Sequence, residues 1–285
     1  MAILGAHVSI AGGISRSVAR AKDIGCETFQ IFTKNQRQWN APPLDENDVS
    51  EFRKLLSGSG MGPVIAHDSY LINLGAPNDE VFGRSVEAFS DELERCSKLG
   101  IGYLVTHPGS HVGSGEDTGI SRIAEGLDMA WSRFERDSSA EWSPMVLLET
   151  TAGQGTNIGH TFEQLAMIME RTGIEEHIGI CFDTCHAYAS GYDITTMESY
   201  RETMSSLERT IGMDRLKAVH INDSKKGLGS RVDRHSNIGE GMIGLEGFRH
   251  LLNDIRMKDV PMILETPGGD EAYMRNLELL RSLLR

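Results

Sequence analysis

Histidine, aspartate and glutamate recur at the ends of short apolar segments along this chain. Their nitrogen and oxygen atoms are ligands that zinc, manganese and iron accept. Seven of eight such segments carry one of these residues, namely His7, His67, His107, Glu149, Asp183, His220 and Glu265. The chain has only 10 histidines in 285 residues, so four of them at segment ends argues against chance.

Each of these residues has a purely structural alternative when it is taken alone. A histidine at a strand end is commonly hydrogen-bonded to its neighbours, and an aspartate there commonly begins a turn. Several carboxylates brought together without cations, however, would repel one another and would each lose hydration. The joint pattern therefore predicts a bound metal cluster.

Three more ligand types lie just beyond the segment ends. His186 follows Asp183 by three residues, and Asp233 with His235 lies in the glycine-rich segment 223–244. We expect His7 to form hydrogen bonds at the rim rather than to bind metal, which leaves nine ligands. Nine ligands exceed the coordination number of one ion, so the sequence predicts two or three metals.

The elements that must position these residues alternate in type along the chain. Apolar, β-branched segments alternate with stretches of helical periodicity, which is typical of parallel β/α units. The eight predicted strands are 3–8, 26–32, 63–67, 102–107, 145–149, 178–183, 217–222 and 261–265. Eight units in roughly 250 residues favour an α/β fold, a (β/α)₈ TIM barrel, with the metal site on the rim at the carboxyl ends of its strands.

The barrel is expected to form a single domain over residues 1–285. A doubly wound open sheet is the alternative, but no GxGxxG turn follows the first strand. Asn78 is predicted to cap a helix that ends at Gly100, and Thr161 with Gln164 is predicted to form a capping box.

Composition limits the cellular setting. No apolar run approaches the roughly 20 residues of a membrane helix, and we expect no secretion signal because no basic segment followed by an apolar stretch occurs in MAILGAHVSIAGG. Four scattered cysteines favour a reduced, cytoplasmic protein. The net charge of −13 argues against a nucleic-acid partner unless the binding face itself is basic.

Seven motifs together resemble endonuclease IV, a family of zinc-dependent apurinic/apyrimidinic endonucleases in the xylose-isomerase-like TIM-barrel superfamily. The motifs are FTKNQRQW at 32–39, HDSYLINL at 67–74, HPGSH at 107–111, CFDTCHA at 181–187, HINDSK at 220–225, DRHSNIGEG at 233–241 and LETP at 264–267. The resemblance extends from the first predicted strand to the last.

The resemblance implies a site of three zinc ions per chain. His67 and His107 would hold one ion, and Glu149 would bridge it to a second. The second ion would also be bound by Asp183, His220 and Glu265. The third ion would be held by His186, Asp233 and His235, where manganese is an alternative occupant. Three Zn²⁺ with four ligand carboxylates leave a net charge of about +2, so an acidic chain can offer phosphate a cationic pocket.

The same resemblance implies a DNA repair enzyme. It would hydrolyse the phosphodiester 5′ to an abasic site with a metal-bridging hydroxide, leaving a 3′-hydroxyl and a 5′-deoxyribose phosphate. Glu149 would orient that hydroxide as well as bridge two metals. Activity on 3′-blocked ends is also implied. We expect a monomer that acts on double-stranded DNA with abasic or 3′-blocked lesions.

Recognition of a missing base requires side chains that fill the gap in the stack. Arg37, Gln38, Tyr70 and Leu71 resemble the wedge of this family. From the sequence alone, packing under the loop of the third strand is an equal alternative for Tyr70 and Leu71, and the resemblance favours the wedge. The basic residues Lys34, Lys225 and Arg231 are predicted to contact phosphates.

Two other functions remain open from the sequence. A metal-dependent sugar isomerase or epimerase would use the same barrel, but the third ligand set and the wedge have no evident use in that chemistry. A catalytically silent binder of damaged DNA would not explain an intact ligand set. We expect Trp39 and Cys181 to lie in the core, His160, His177 and His250 to lie on the surface, and Cys185 not to bind metal.

Overall fold

Eight parallel strands close into one barrel in the computed structural model, which describes residues 2–137 and 143–285. In chain order, β1 to β8 are Ile3–His7, Thr28–Phe32, Val64–His67, Tyr103–Thr106, Met145–Glu149, Ile178–Asp183, Leu216–His220 and Pro261–Leu264. Each strand pairs with its sequence neighbours, and β1 pairs with β8 to close the ring. The predicted (β/α)₈ barrel is confirmed, and all strand carboxyl ends share one rim.

The barrel has two hydrophobic layers because successive side chains of a strand point to opposite faces. Six strands contribute to an interior cluster of Ile65, Val105, Leu147, Cys181, Ala218 and Ile263, all fully buried. The larger cluster lies between the strands and the surrounding helices. The prediction of Cys181 as strand core is confirmed.

Helices follow the strands and cover the outside of the barrel. In chain order, α1 to α9 are Arg16–Ile24, Glu46–Ser59, Asp79–Leu99, Glu116–Asp137, Phe162–Arg171, Thr184–Ser190, Met197–Thr210, Gly244–Leu252 and Gly269–Leu283. None of the helices in the described residues combines the length and apolarity that crossing a bilayer requires.

The helix-end predictions are largely confirmed. Asn78 caps α3 by accepting a hydrogen bond from the backbone N–H of Val81, and α3 ends at Gly100 in a left-handed conformation. Thr161 caps α5, but the capping box predicted with Gln164 is wrong. The Gln164 side-chain oxygen accepts instead from the backbone of Gly159, 2.8 Å away, and of His160.

Two short antiparallel pairs stiffen the loops on the carboxyl rim. Gly109–Ser110 pairs with Asn157–Ile158, and Asp223–Ser224 pairs with His235–Ser236. The buried Asp223 carboxylate accepts hydrogen bonds from three backbone N–H groups farther along its loop, those of Gly239, Gly241 and Ile243, at 3.0–3.1 Å. The loop 223–244 is therefore held in one shape although it is rich in glycine.

Candidate metal centre

The carboxylate of Glu149 lies at the centre of the carboxyl rim and is fully buried. Its Oε2 atom is 3.3 Å from Nε2 of His67 and 3.3 Å from Nε2 of His107. Its Oε1 atom is 3.1 Å from Nδ1 of His220. The two oxygens therefore face two groups of ligand atoms, which is the arrangement that a bridging carboxylate needs.

A second group surrounds the other side of Glu149. Ligand atoms of Glu149, Asp183, His220 and Glu265 lie within 4.8 Å of one another. Asp183 is fixed by hydrogen bonds, because Oδ1 accepts from the backbone of His186 and Oδ2 from the Asn222 amide. These four side chains come from the ends of β5 to β7 and from the residue after β8, so barrel closure brings them together.

The third group combines α6 with the loop after β7. Nε2 of His186 is 3.3 Å from the Asp233 carboxylate, and Nε2 of His235 is 3.5 Å from it. The buried Cys185 thiol also lies within 4.8 Å of Asp233 and His235. Burial raises the pKa of the Cys185 thiol to about 12, and a protonated thiol is a poor metal ligand.

Backbone carbonyls orient three of the histidines. Nδ1 of His67 donates to the carbonyl of Asp68 at 2.9 Å, and Nδ1 of His186 donates to that of Thr150 at 2.9 Å. Nδ1 of His235 lies 3.3 Å from the carbonyl of Glu265. In each case Nε2 is left to face a carboxylate of the site, Glu149 for His67 and Asp233 for His186 and His235, which is how outer hydrogen bonds fix a metal-binding tautomer.

Histidines of the site lower the pKa of the carboxylates beside them. Burial alone would raise the pKa of Glu149, but the neighbouring His220 and His107 hold it well below its ordinary value. Burial is likewise outweighed at Asp233, where His186 lowers the carboxyl pKa to about 2. The carboxylates are therefore ionised and suited to bind cations at neutral pH.

Several buried polar atoms of the site have no hydrogen-bond partner within the described part of the chain. They are His7 Nε2, Glu149 Oε1, His186 Nε2, His220 Nδ1 and His235 Nε2. A buried polar atom without a partner costs roughly 1–3 kcal/mol, so such atoms are uncommon without a purpose. Four of the five belong to the predicted ligand set, and metal ions would satisfy them. The residues present therefore fit a metal cluster.

Residues 18–283 match the family model described as xylose isomerase-like TIM barrel. A "Probable endonuclease 4" from Geobacter sulfurreducens is 51% identical over 99% of this chain and 94% of its own length. One from Chloroflexus aurantiacus is 50% identical over 99% of this chain and 98% of its own length. The chain belongs to the endonuclease IV family. The family resemblance carried by the sequence motifs is thereby confirmed.

Solved structures agree with this assignment. Endonuclease IV from Thermus thermophilus superposes with a TM-score of 0.87 at 40% identity and covers 99% of this chain and 98% of its own. A D-tagatose 3-epimerase-like protein superposes with a TM-score of 0.71 at 19% identity over 99% of this chain and 96% of its own, which shows a shared fold alone.

One residue of the wedge predicted for this endonuclease IV member, Tyr70, lies next to the candidate metal ligand His67, with ring centroids 5.9 Å apart. Tyr70 is 64% exposed, and its ring packs at 5.5 Å against Phe32, whereas Leu71 is half-buried. Arg37 and Gln38 are exposed. An aromatic ring that is largely exposed next to the buried His67 of the candidate site is available to contact a ligand rather than committed to the core.

One predicted DNA contact of the endonuclease IV chain is wrong. The Lys34 side chain is only 1% exposed, and its ammonium lies 2.7 Å from Asp91 and 3.4 Å from Glu92 on α3. It is occupied by an internal ion pair because the chain after β2 turns inward against that helix. Lys225 and Arg231 are exposed on the loop after β7, and their DNA contacts stay a prediction.

Other histidines of this endonuclease IV chain lie outside the proposed ligand set. His160 was expected on the surface, but it is buried, and its Nε2 lies 3.3 Å from the Arg231 guanidinium. His177 is exposed and stacks on Trp131. Nδ1 of His111 accepts hydrogen bonds from two backbone N–H groups of its own turn. His250 is half-buried on α8.

Sequence reasoning missed Gln30, a fully buried amide on β2 that contacts His7, His220 and Glu265. The signal was present, because a glutamine interrupts the otherwise apolar end of the strand TFQIF. Such a residue must find polar partners when it is buried. His7 is bound to this amide, as expected for a residue that forms hydrogen bonds at the rim.

Proposed function

We propose that this chain is a DNA repair endonuclease that hydrolyses the phosphodiester 5′ to abasic sites in double-stranded DNA. The products are a 3′-hydroxyl and a 5′-deoxyribose phosphate, and 3′-blocked ends are further substrates. One observation carries the proposal: nine His, Asp and Glu side chains of metal-binding type, Glu149 at their centre, converge on the carboxyl rim, with Tyr70 exposed beside them. The endonuclease 4 names of relatives near 50% identity support it.

Three zinc ions are proposed for the three ligand groups, with manganese as an alternative in the third. His67 and His107 would hold one ion together with Glu149. Asp183, His220 and Glu265 would hold a second with Glu149, and His186, Asp233 and His235 would hold the third. When bound, such ions lower the pKa of water toward roughly 7 and stabilise charge on phosphate oxygens.

The chain's own groups position the reaction. Glu149 is kept ionised by its histidine neighbours, so it accepts a hydrogen bond from the attacking water and aims it at phosphorus. Tyr70 and Leu71, with Arg37 and Gln38 on the facing loop, enter the stack at the missing base and hold the abasic sugar toward the buried centre. Lys225 and Arg231 contact phosphates and set the register of the duplex.

A sugar isomerase or epimerase is the weaker alternative. Likeness to sugar epimerases under 25% identity concerns the barrel alone. The third ligand group and the exposed Tyr70 beside the centre match a large, charged substrate better than a free sugar. We further propose that the chain is a single-domain monomer. We place it in the cytoplasm, because all four cysteines lie in the described part of the chain and are free and buried.

The deciding experiment is cleavage of a duplex that carries one tetrahydrofuran abasic analogue. Tetrahydrofuran cannot undergo β-elimination, so a nick 5′ to it that leaves a 3′-hydroxyl must come from phosphate hydrolysis. We expect this nick in the wild type, no nick in an undamaged duplex, and at least a roughly hundredfold loss in Glu149→Gln, because a metal-stabilised transition state is worth several kcal/mol.

Glu246→Gln is the matched control, because Glu246 is an exposed glutamate on α8 whose partner is Arg249. It should cleave like the wild type. Absence of the nick in a wild-type preparation that holds its metals would contradict the proposal, and ketose epimerisation would be assayed next.

A further inference from the structure

The amide of Gln30 contacts two residues of the proposed second metal group. Its Nε2 lies 2.7 Å from Oε1 of Glu265 and 2.9 Å from Nδ1 of His7. Its Oε1 lies 2.8 Å from Nε2 of His220. Gln30 is fully buried, so water cannot replace these contacts.

The neighbours determine which way this amide points. A carboxylate oxygen only accepts hydrogen bonds, so the nitrogen of Gln30 must face Glu265. The oxygen of Gln30 then faces His220, and Nε2 of His220 must carry a hydrogen and donate it. The reverse orientation would place the amide oxygen 2.7 Å from a carboxylate oxygen. The other Gln30 hydrogen points to Nδ1 of His7, which accepts it.

This hydrogen bond leaves Nδ1 of His220 as the atom that faces the ligand group. Nδ1 lies 3.1 Å from Glu149 and 3.3 Å from Oε2 of Glu265, and it has no hydrogen-bond partner among the described residues. His67, His186 and His235 show the opposite arrangement, because backbone carbonyls hold their Nδ1 atoms and each Nε2 faces a carboxylate of the site, Glu149 or Asp233. At His220 the outer hydrogen bond comes from the side chain of Gln30, so a mutation can remove that bond.

We propose that Gln30 is a positioning residue for the second metal ion, which keeps His220 protonated on Nε2 and directs Nδ1 of His220 and Oε2 of Glu265 to the metal. This inference rests on the metal site of the proposed function. Outer hydrogen bonds of this kind change metal affinity by roughly 10- to 100-fold. Gln30 therefore sets how firmly one particular ion is held.

The test follows zinc transfer from the loaded protein to the chromogenic chelator 4-(2-pyridylazo)resorcinol. In Gln30→Leu, one zinc per chain should leave roughly 10- to 100-fold faster than in the wild type, and the others should leave at wild-type rates. Thr28→Val is the matched control: Thr28 is equally buried on the same strand, and its hydroxyl donates to the Pro63 carbonyl, away from the site. Its zinc release should match the wild type.

Long-range ¹H–¹⁵N spectra of histidine-labelled, zinc-loaded protein give an independent reading. His220 should be protonated on Nε2 in the wild type, and this tautomer preference should weaken in Gln30→Leu. If Gln30→Leu does not fold, Gln30→Glu keeps an acceptor for His220 but repels Glu265, and fast loss of one zinc is again expected.

Wild-type release of all zinc from a folded Gln30 variant would overturn the proposal, and so would a hydrogen on Nδ1 of His220 in the loaded wild type. If the wild type binds no zinc, the proposed function fails. The tautomer of neutral His220 at alkaline pH then decides separately whether Gln30 orients this ring.

Discussion

The guanidinium of Arg84 lies over the indole ring of Trp39, 4.5 Å from the ring centroid. Trp39 ends the segment that carries Arg37 and Gln38, and it packs partly buried against the core, as expected from the sequence. Ser69 adds a second attachment by donating to the backbone carbonyl of Gln36. The helix α3 and the loop after β3 thus hold one side of the proposed wedge.

Arg84→Ala should raise KM for the abasic duplex about two- to fivefold and leave kcat unchanged. An exposed cation–π contact is worth roughly 0.5–1 kcal/mol, and its loss loosens the segment before any chemistry occurs. Steady-state cleavage of the tetrahydrofuran duplex measures this. Arg133→Ala, which removes an ion pair with Glu87 on the side of the barrel, should leave both constants unchanged. An equal fall in kcat would place Arg84 in the chemical step instead.

Lys34→Met and Lys225→Met should behave differently. Lys34 is buried against Asp91 and Glu92, so its loss should lower the free energy of unfolding by about 3 kcal/mol. The exposed Lys225 should leave stability unchanged but reduce the slope of log KM against log salt by about 1, as for one lost phosphate contact. Urea unfolding and cleavage at several salt concentrations test the pair. A reduced slope in Lys34→Met would restore Lys34 as a DNA contact.

The buried Glu92 should make stability depend on pH. Burial raises its pKa to about 7 despite the opposing charge of Lys34. Between its unfolded pKa near 4.5 and about 7, the folded chain retains a proton that the unfolded chain has lost. The free energy of unfolding should therefore fall as pH rises through this window, by up to roughly 3 kcal/mol. Glu92→Gln should remove this contribution to the pH dependence.

Urea unfolding of both chains from pH 5 to 8 checks this prediction. Glu87→Gln, at an exposed site on the same helix, should keep the wild-type pH dependence. A wild-type chain that gains stability relative to Glu92→Gln as pH rises would reverse the sign and contradict the assignment.

Zinc loading should release protons at pH 7. Burial lowers the pKa of His67, His186 and His220, but neighbouring acidic groups, Glu149 among them, outweigh it and raise all three pKa values well above the ordinary range. Zinc must displace these protons, so about three protons per chain should appear in calorimetric titrations compared between two buffers. His67→Gln should release about one fewer. Heats that are independent of the buffer would contradict the prediction.

The positions of the main ligands could be predicted because they depend on local periodicity and topology. Once eight strands are recognised, His67, Glu149 and Asp183 must meet on one rim, since the carboxyl ends of parallel strands share it. Helix ends such as Asn78 were equally predictable, because a cap bonds within four residues of itself.

The outer shell of the site could not be predicted in the same way. Gln30 bonds to residues 190 and 235 positions away in the chain, and no local pattern specifies such partners. Lys34 was misassigned for a related reason, because its carboxylate partners lie 57 and 58 positions later on α3. Because Lys34 is close in sequence to the wedge, its position near the site was predicted correctly, but the direction of its side chain was not.

The hydrogen bonds that Asp223 accepts from its own loop determine when the third ligand group, His186, Asp233 and His235, becomes ordered. One carboxylate fixes backbone groups at Gly239, Gly241 and Ile243, and the strand pair at His235 fixes the near side. Ordering of this 22-residue segment (223–244) is thus part of folding rather than part of metal capture. Ion uptake should then be rapid and nearly free of a conformational-entropy penalty. The affinity of the third ligand group for its ion should depend only on the chemistry of the ligand atoms.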